Sequence, residues 1–207
     1  GYTSEEEKKM HPTLIIFDWD DTLLCTSLLT RRGILSGIKP DVDLEQQLIV
    51  LSTFVSRVLQ IARIYGEVYL ITNSERGWVE HSAGMFLPSV VPLLDSIRIV
   101  SARSEFEHMS SIQMWKVHAV KACIDNMFHG GQPVHIISFG DSDWDLKAVR
   151  EAVTGLSYAT TKTFKCVDTP TIEQIISQLA AICDNFREIH DSVSSIDSIL
   201  ITNYYEK

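Results

Sequence analysis

Short apolar runs alternate with longer segments of helical spacing along this chain. Residues 14–17, 68–71, 97–100 and 134–139 are mostly apolar and four to six residues long, which is typical of strands buried inside a parallel sheet. Residues 163–167 form a weaker run of the same kind. The pattern therefore predicts about five strands, separated by segments long enough for helices.

Helical spacing is strongest between the first two runs. Asp43 can cap a helix, and with Gln46 three residues later it resembles a capping box. Over residues 44–65 apolar positions recur at steps of three and four, and Gly66 ends the pattern. Similar patterns predict helices over residues 74–86, 111–128 and 143–152, and another after Thr169 as cap, with Pro170 at its first position. The helix over 111–128 is expected to bury Ile112.

Alternation of strands and helices predicts the fold class. We expect an α/β fold with three layers, a Rossmann-like parallel sheet of about five strands carrying helices on both faces. One catalytic domain is expected over residues 12–190. Residues 1–11 are polar and charged, and they are expected to be a disordered or tag-like N-terminus. Residues 191–207 are left as a C-terminal tail whose role the pattern does not predict.

The net charge and the spacing of the cysteines limit which binding partners and which kinds of metal site are expected. A formal net charge of −9 argues against nucleic acid and anionic membranes, because both need a basic surface. No apolar run approaches the roughly 18 residues that span a bilayer. The cysteines have no metal-ligand spacing, as expected for reduced thiols in a cytoplasmic protein. They are Cys25, Cys123, Cys166 and Cys183. Composition does not predict the oligomeric state.

Acidic, hydroxyl and amide side chains directly follow three predicted strands. They are Asp18, Asp20 and Asp21 after the first strand, Thr72 and Asn73 after the second, and Asp141, Asp143 and Asp145 after the fourth. Because the carboxyl ends of parallel strands share one edge of the sheet, these side chains are expected to meet there. Clustered carboxylates repel, and oxygen ligands favour a hard cation. The sequence therefore predicts a Mg²⁺ site that also receives a phosphoryl group.

The same residue types suit phosphoryl transfer. One carboxylate can attack phosphorus and form an acyl phosphate. A second carboxylic acid two residues further on can protonate the leaving oxygen and later activate water. Hydroxyl, amide and backbone N–H groups can hold the phosphoryl oxygens, and a lysine can neutralise the charge on the transferring group.

These motifs, in this order, resemble those of the haloacid dehalogenase-like (HAD) superfamily. They are D-W-D-D-T, then T-N, a lysine and G-D-S-x-x-D, which together span residues 18–145. Each motif alone is weak, but four in order at strand ends are specific. The resemblance implies that Asp18 is the nucleophile and a metal ligand, and that Asp20 is the general acid/base and binds the metal through its backbone carbonyl. It implies that Thr72 and Asn73 bind phosphate and that Lys116 stabilises the nucleophile and the phosphoryl oxygens. Asp141 would be a metal ligand, and Asp145 would support the metal shell.

Three positions near these motifs need a choice. Lys121 competes with Lys116 as the motif lysine, and Lys116 is preferred because the start of its helix lies nearer the active edge of the sheet. Asp21 stands where many members of the superfamily have glycine, although aspartate is also familiar there. Asp143 is interpreted as a solvated acid at a helix start and not as a ligand.

The tryptophans all lie within or beside the candidate motifs. They are Trp19, Trp78, Trp115 and Trp144. One interpretation is that they pack the core near the strand ends. The other is that one or two of them form an aromatic wall for a substrate, because an indole offers a large contact area and one hydrogen-bond donor.

In the HAD superfamily a cap domain often covers the site. Here the predicted helix fills half of residues 23–66, and residues 102–115 form a short connection. The resemblance therefore implies a member without a cap. An open site suits a phosphate carried by a phosphoprotein, or a small phosphomonoester if a second subunit covers it. Arg31, Arg32 and Lys39 make one connection basic, and they are either a steering surface for the phosphorylated substrate or ordinary solvated charges.

The expected function is a phosphatase that hydrolyses a phosphoric monoester. A phosphotransferase would use the same residues and differ only in its acceptor. A dehalogenase would not need the acidic metal set. A non-catalytic binding protein of this fold would be expected to lack a motif residue, and each motif is complete in this chain.

Overall fold

A six-stranded, all-parallel sheet forms the middle layer of the protein. The computed structural model describes residues 12–200. Its strands are β1 (Thr13–Phe17), β2 (Glu67–Thr72), β3 (Arg98–Ser101), β4 (Val134–Gly140), β5 (Ala159–Lys165) and β6 (Ile196–Ile199). They lie in the order β3-β2-β1-β4-β5-β6. The predicted α/β class with a Rossmann-like sheet is confirmed, with six strands where about five were expected.

Eight α-helices connect the strands within residues 12–200. They are α1 (Thr26–Arg31), α2 (Val42–Tyr65), α3 (Trp78–Phe86), α4 (Val91–Leu94), α5 (Ala102–Phe106), α6 (Ile112–Met127), α7 (Asp143–Ala152) and α8 (Ile172–Asp191). Short 3₁₀ turns add Ile34–Ser36 and Pro88–Val90. One hydrophobic core lies between the sheet and α2, α3 and α8. A second core lies between the opposite face of the sheet and α6 and α7.

The central strand β1 is buried because helices cover both faces of the sheet. All five residues of β1 are buried, and they pair with β2 on one side and β4 on the other. Helices cover both faces of such a sheet, so a strand in its middle has no polar face. The chain leaves β1 toward β2 and β3 and later crosses back to β4. The crevice between the ends of β1 and β4 is thus the topological switch point, where ligands bind in folds of this kind.

Several predicted element boundaries are wrong by a few residues. The N-cap of α2 is Asp41, whose side chain accepts from the Leu44 N–H, and not Asp43. The N-cap of α8 is Thr171, two residues beyond the predicted Thr169. An N-cap residue has an extended backbone, as Thr171 does, whereas Thr169 has a positive φ of 45°. The predicted helix over residues 74–86 begins only at Trp78.

Two further differences concern burial and the end of the chain. Ile112 was expected to face inward, but its side chain is 60% exposed. It is the first residue of α6 and lies at the exposed start of this helix. The segment left without an element contains β6, which pairs with β5 in parallel. Residues 1–11 and 201–207, where a disordered start and the end of a tail were predicted, lie outside the described residues.

Helix α2 is long and apolar enough to cross a membrane by length and composition alone. Its most apolar window has a mean hydropathy of 1.4, and 39% of that window is buried inside the protein. The buried residues include Leu44, Leu51, Val58 and Ala62, which recur with helical spacing on the side of the helix that packs against the sheet and α8. The core of an α/β protein thus accounts for this apolar stripe.

Candidate functional site

The switch-point crevice brings the acidic ends of β1 and β4 together. The backbone N–H of Asp18 donates to the carbonyl of Phe139 at 3.0 Å, which extends the pairing of β1 and β4 beyond the last residue of β1. Asp141 follows β4 on the same edge. The parallel register therefore places side chains that are more than 100 residues apart in sequence beside one another.

Lys116 is the cation of this crevice. It lies on α6, is only 7% exposed, and its Nζ is 3.0 Å from Oδ1 of Asp18. The same ammonium group donates to Oδ1 of Asp145. Lys121, the competing candidate, is exposed to solvent. Of the two lysines, it is Lys116 that the fold brings to the acidic residues.

Three carboxylates surround that lysine. Asp18, Asp141 and Asp145 each present one oxygen within 4.8 Å of the others. Burial raises the pKa of Asp18 well above its usual range; Lys116 opposes the rise, while Asp145 and Asp141 add to it. Burial likewise raises the pKa of Asp141. Three carboxylates against one ammonium leave negative charge uncompensated, and the donors are all oxygen atoms, so this cluster can hold a metal ion.

The charge of Lys116 is maintained by its partners. Burial acts to lower the pKa of this lysine, but Asp145 and Asp18 outweigh that effect and raise the pKa above its usual value. A buried ammonium without such partners would tend to lose its proton. Lys116 is therefore a permanent positive charge beside the Asp18 carboxylate.

Asp145 is held by the turn that precedes it. Its Oδ2 accepts from the N–H of Ser142 at 3.1 Å and from the Ser142 hydroxyl at 2.9 Å, which makes a capping box at the start of α7. Its Oδ1 accepts from Lys116. Because both oxygens already have donors, Asp145 anchors the lysine to the β4–α7 turn. Its predicted part in the metal shell stays a prediction.

Asp20 faces a different part of the crevice from the carboxylate cluster. Its Oδ1 accepts from the Thr26 hydroxyl at 2.6 Å and from the Trp78 indole N–H at 2.8 Å. Its Oδ2 accepts from the Ser74 hydroxyl at 2.6 Å. Sequence reasoning missed Thr26 and Ser74 as contacts. Ser74 directly follows the predicted T-N pair, which is a signal, whereas nothing in the sequence points to Thr26.

The predicted phosphate-binding pair lies across the crevice from Lys116. Thr72 Oγ1 accepts from the Ser74 N–H at 3.0 Å, so its own hydroxyl proton remains available to a ligand. Oδ1 of Asn73 is buried and has no hydrogen-bond partner within residues 12–200. Both side chains line a cavity of about 290 Å³, together with Asp18, Asp20, Asp21, Ser74, Lys116, Asp141 and Ser142. This cavity gathers all the predicted site residues except Asp145.

Asp21 adopts the left-handed conformation that glycine favours. Its φ is 60°, a conformation that costs most residues about 1–2 kcal/mol but that aspartate tolerates. Its Oδ1 accepts from the Ser27 N–H at 2.9 Å, and its Oδ2 accepts from the Ser27 hydroxyl. These bonds tie the loop after β1 to the first turn of α1, so Asp21 performs a local structural task at this position.

The remaining candidates lie on the surface or in the core. Asp143 is exposed at the first position of α7, as interpreted from the sequence. Trp19 is fully buried, Trp115 donates to the Ser110 carbonyl at 3.1 Å, and Trp144 carries Lys147 Nζ at 5.2 Å above its ring. The cations of the β1–α2 connection are exposed; they are Arg31, Arg32 and Lys39.

Comparison with known proteins adds no family assignment. Neither a scan against protein-family models nor a search of curated proteins found a match for this chain.

Proposed function

We propose that this protein is a Mg²⁺-dependent phosphatase that hydrolyses a phosphomonoester through a covalent phosphate on Asp18. The observation that carries the proposal is the buried ion pair of Lys116 and Asp18, with an Nζ–Oδ1 distance of 3.0 Å, inside a cluster of three carboxylates. The motif order that resembles the HAD superfamily supports the same activity. Because folds of this type host many reactions, the argument rests on the site and not on the architecture.

Asp18 and Asp141 are the proposed Mg²⁺ ligands. The backbone carbonyl of Asp20 would complete the protein's share, with Asp145 in a supporting position. A hard cation that binds oxygen atoms suits this set of donors. When bound, Mg²⁺ would offset the carboxylate charge and polarise a phosphoryl oxygen.

The first chemical step uses the free oxygen of Asp18. Its Oδ1 accepts from the Trp19 N–H at 2.8 Å and from Lys116. Among the described residues, Oδ2 is thus the oxygen left for attack on phosphorus. As the Oδ2–P bond forms, the bond from phosphorus to the leaving oxygen breaks, and Asp20 gives its proton to that oxygen. Lys116 and the side chains of Thr72 and Asn73 hold the phosphoryl oxygens during the transfer.

The second step regenerates the enzyme. Asp20, now a carboxylate, accepts a proton from water as that water attacks the phosphorus of the covalent phosphate. The P–Oδ2 bond breaks, inorganic phosphate is released, and Asp18 returns to its starting form. The proton that Asp20 takes from water replaces the one it gave to the leaving group, so the cycle is balanced.

A large substrate, such as a phosphoprotein, is part of the proposal. Within residues 12–200 the connection from β1 to β2 forms α1, a 3₁₀ turn and α2, and the one from β3 to α6 forms only the five-residue α5. Neither makes a separate domain over the crevice. Arg31 and Arg32 are exposed on the first connection, where they would attract a phosphorylated partner to an otherwise acidic protein.

A hydrolysis panel with and without Mg²⁺ tests the proposal. Aryl phosphates, sugar phosphates, nucleotides and phosphopeptides are supplied, and inorganic phosphate is measured. We expect Mg²⁺-dependent release from at least one class, and complete loss of turnover in Asp18→Asn because an amide cannot form the covalent phosphate. Asp143→Asn is the matched control, since this exposed acid begins α7 two residues after Asp141 and its removal should leave the rate unchanged.

Three results would count against the proposal. Near-normal turnover in a folded Asp18→Asn protein would remove Asp18 as the nucleophile. If the wild-type protein releases phosphate from none of these substrate classes, the non-catalytic alternative is favoured. Transfer of the phosphoryl group to an added alcohol in place of water would identify a phosphotransferase.

A further inference from the structure

We propose that Trp78 is a positioning residue that, together with Ser74, holds the carboxyl group of Asp20 for proton transfer to the leaving oxygen. This inference rests on the proposed function and deepens it. It assigns a task to one of the four tryptophans, and that task is neither core packing nor a wall for the substrate.

Two of the three side chains that donate to Asp20 come from the segment that runs from the end of β2 to the start of α3. Trp78 Nε1 lies 2.8 Å from Oδ1 of Asp20, and Ser74 Oγ lies 2.6 Å from Oδ2; the third donor is Thr26. Thr72 ends β2, Asn73 and Ser74 follow it, and Trp78 is the first residue of α3. The segment that would bind the phosphoryl oxygens therefore also orients the Asp20 carboxyl group. The phosphate-binding side chains and the acid are thus positioned by the same stretch of backbone.

Trp78 is itself held on both sides. Gly77, with φ of 91°, turns the chain so that Trp78 begins α3. The Trp78 carbonyl accepts from the Ser82 hydroxyl at 2.6 Å, and Ser82 in turn accepts from the Trp19 indole at 2.9 Å. Trp19 lies between Asp18 and Asp20 in sequence. The bonds thus close a ring from the β1 loop to α3 and back, which limits how far the indole can move.

The chemistry of the donors decides what the ring can do. An indole N–H only donates, so Oδ1 of Asp20 has to remain an acceptor. A hydroxyl group can donate or accept, so Ser74 tolerates a proton on Oδ2. Oδ2 is therefore the oxygen through which the proposed proton transfer runs: its O–H bond breaks as the new O–H bond to the leaving oxygen forms, and the electron pair of the broken P–O bond stays on that oxygen.

The importance of such positioning depends on the leaving group. A general acid contributes about 10²–10⁴-fold when the leaving oxygen is a poor leaving group, as in an alkyl phosphate. A nitrophenolate leaves without protonation and gains little. A loss of core packing would slow the first step alike for both substrates, whereas misplacement of Asp20 slows that step mainly for the alkyl phosphate. The ratio of the two rates is therefore specific to the proposed role.

The test compares Trp78→Phe with Trp115→Phe in the presence of Mg²⁺. Phenylalanine keeps an aromatic ring but removes the N–H donor and part of the indole volume. Trp115→Phe is the matched control because it makes the same change at an indole that bonds the Ser110 carbonyl. For Trp78→Phe we expect kcat/KM, which reports the transfer to Asp18 and not the later hydrolysis that Asp20 also serves, to fall about tenfold or more for an alkyl phosphate and to stay within about twofold of wild type for p-nitrophenyl phosphate. Trp115→Phe should leave the ratio of the two rates unaltered.

A second measurement tests the hydrogen bond without turnover. The indole N–H resonance of Trp78, assigned by its loss in Trp78→Phe, should shift in Asp20→Ala more than the indole resonances of Trp115 and Trp144. An equal shift of all of these, or none, would show that the bond to Asp20 does not form in solution.

The outcomes separate this inference from the proposed function. If wild type hydrolyses both substrates but Trp78→Phe lowers kcat/KM equally for both, or raises it for the alkyl phosphate, the positioning role is overturned while the phosphatase stands. If wild type hydrolyses neither substrate nor any other phosphomonoester, the phosphatase falls and the catalytic role of Trp78 falls with it.

Discussion

Gly140 shows how one residue without a side chain shapes the site. A Cβ atom at this position would lie 2.3 Å from Cγ of Asp145, far inside van der Waals contact. The missing side chain allows Asp145 to fold back over the end of β4, where it accepts from Ser142 and Lys116. Gly140 is therefore required by the close approach of the Asp145 side chain.

We expect Gly140→Ala to disturb the site more than its size suggests. Asp145 has to move, Lys116 loses its position beside Asp18, and turnover should fall about tenfold or more. Overpacking should lower the free energy of unfolding by about 1–3 kcal/mol. Urea unfolding gives the change in stability, and kcat gives the change in turnover.

Gly84→Ala, on the exposed side of α3, is the control. Nothing lies within 4 Å of the new Cβ atom, so the stability of this variant should be unchanged or up to about 1 kcal/mol higher. Equal behaviour of the two variants would contradict the argument.

The ends of the helices depend on single side chains. At the start of α2 the Asp41 carboxylate accepts from the Leu44 N–H at 2.8 Å, whereas Asp43 already lies inside the first turn. Both acids face the positive end of the helix dipole, but only Asp41 satisfies a free N–H group. The sequence alone does not separate these roles, because both residues are acidic and lie two positions apart.

Asp41→Ala and Asp43→Ala form a matched pair of variants. Each removes one negative charge near the start of α2, but Asp41→Ala also removes the cap. We expect Asp41→Ala to lower the free energy of unfolding by about 1 kcal/mol, and Asp43→Ala by only a few tenths of a kcal/mol, because helix propensity offsets the lost charge. The midpoints of urea unfolding give both values, and the reverse order would place the cap at Asp43.

At the scale of the whole molecule, the end of the sheet opposite the site carries its own charged cluster. His135 Nδ1 is 3.0 Å from the Thr13 hydroxyl, and its ring lies 5.5 Å from that of His190. Lys162 is fully buried and donates to the His190 carbonyl at 2.7 Å, where it binds the C-terminal end of α8. Burial, followed by the charges of Lys162 and His190, lowers the pKa of His135 to about 4.

The lowered pKa of His135 makes stability depend on pH. In the unfolded chain this histidine titrates near its ordinary value of about 6.5, so between about pH 6.5 and pH 4 the unfolded state binds a proton that the folded state does not. The contribution of His135 to the free energy of unfolding is thus complete above about pH 6.5 and is lost as the pH falls toward 4. His135→Gln should lose less stability than wild type between about pH 7 and pH 5 in urea unfolding. His129→Gln, at an exposed histidine, should behave like wild type, and a wild-type slope in His135→Gln would refute the assignment.

Much of the fold follows from patterns that are local in sequence. The apolar runs fix where β1, β2, β3 and β4 lie, and the helical stripes fix α2, α6 and α8, because burial on one face or two imposes a period on the residues themselves. The edge strand β6 escaped prediction since a strand of four residues with two exposed positions has too few apolar residues to show a period. Its place depends on pairing with β5, which is a non-local contact.

The sequence by itself determined which residue types stand at the strand ends, and therefore that Asp18, Asp141 and Thr72 share one edge of a parallel sheet. Only the tertiary structure decided between Lys116 and Lys121, selected Asp41 and Thr171 as caps, and brought Trp78, Ser74 and Thr26 around Asp20. The physical reason is range. Periodicity and capping chemistry act over a few residues, whereas a hydrogen bond between Trp78 and Asp20 spans 58 positions and exists only because the sheet and its connections bring two distant loops into contact.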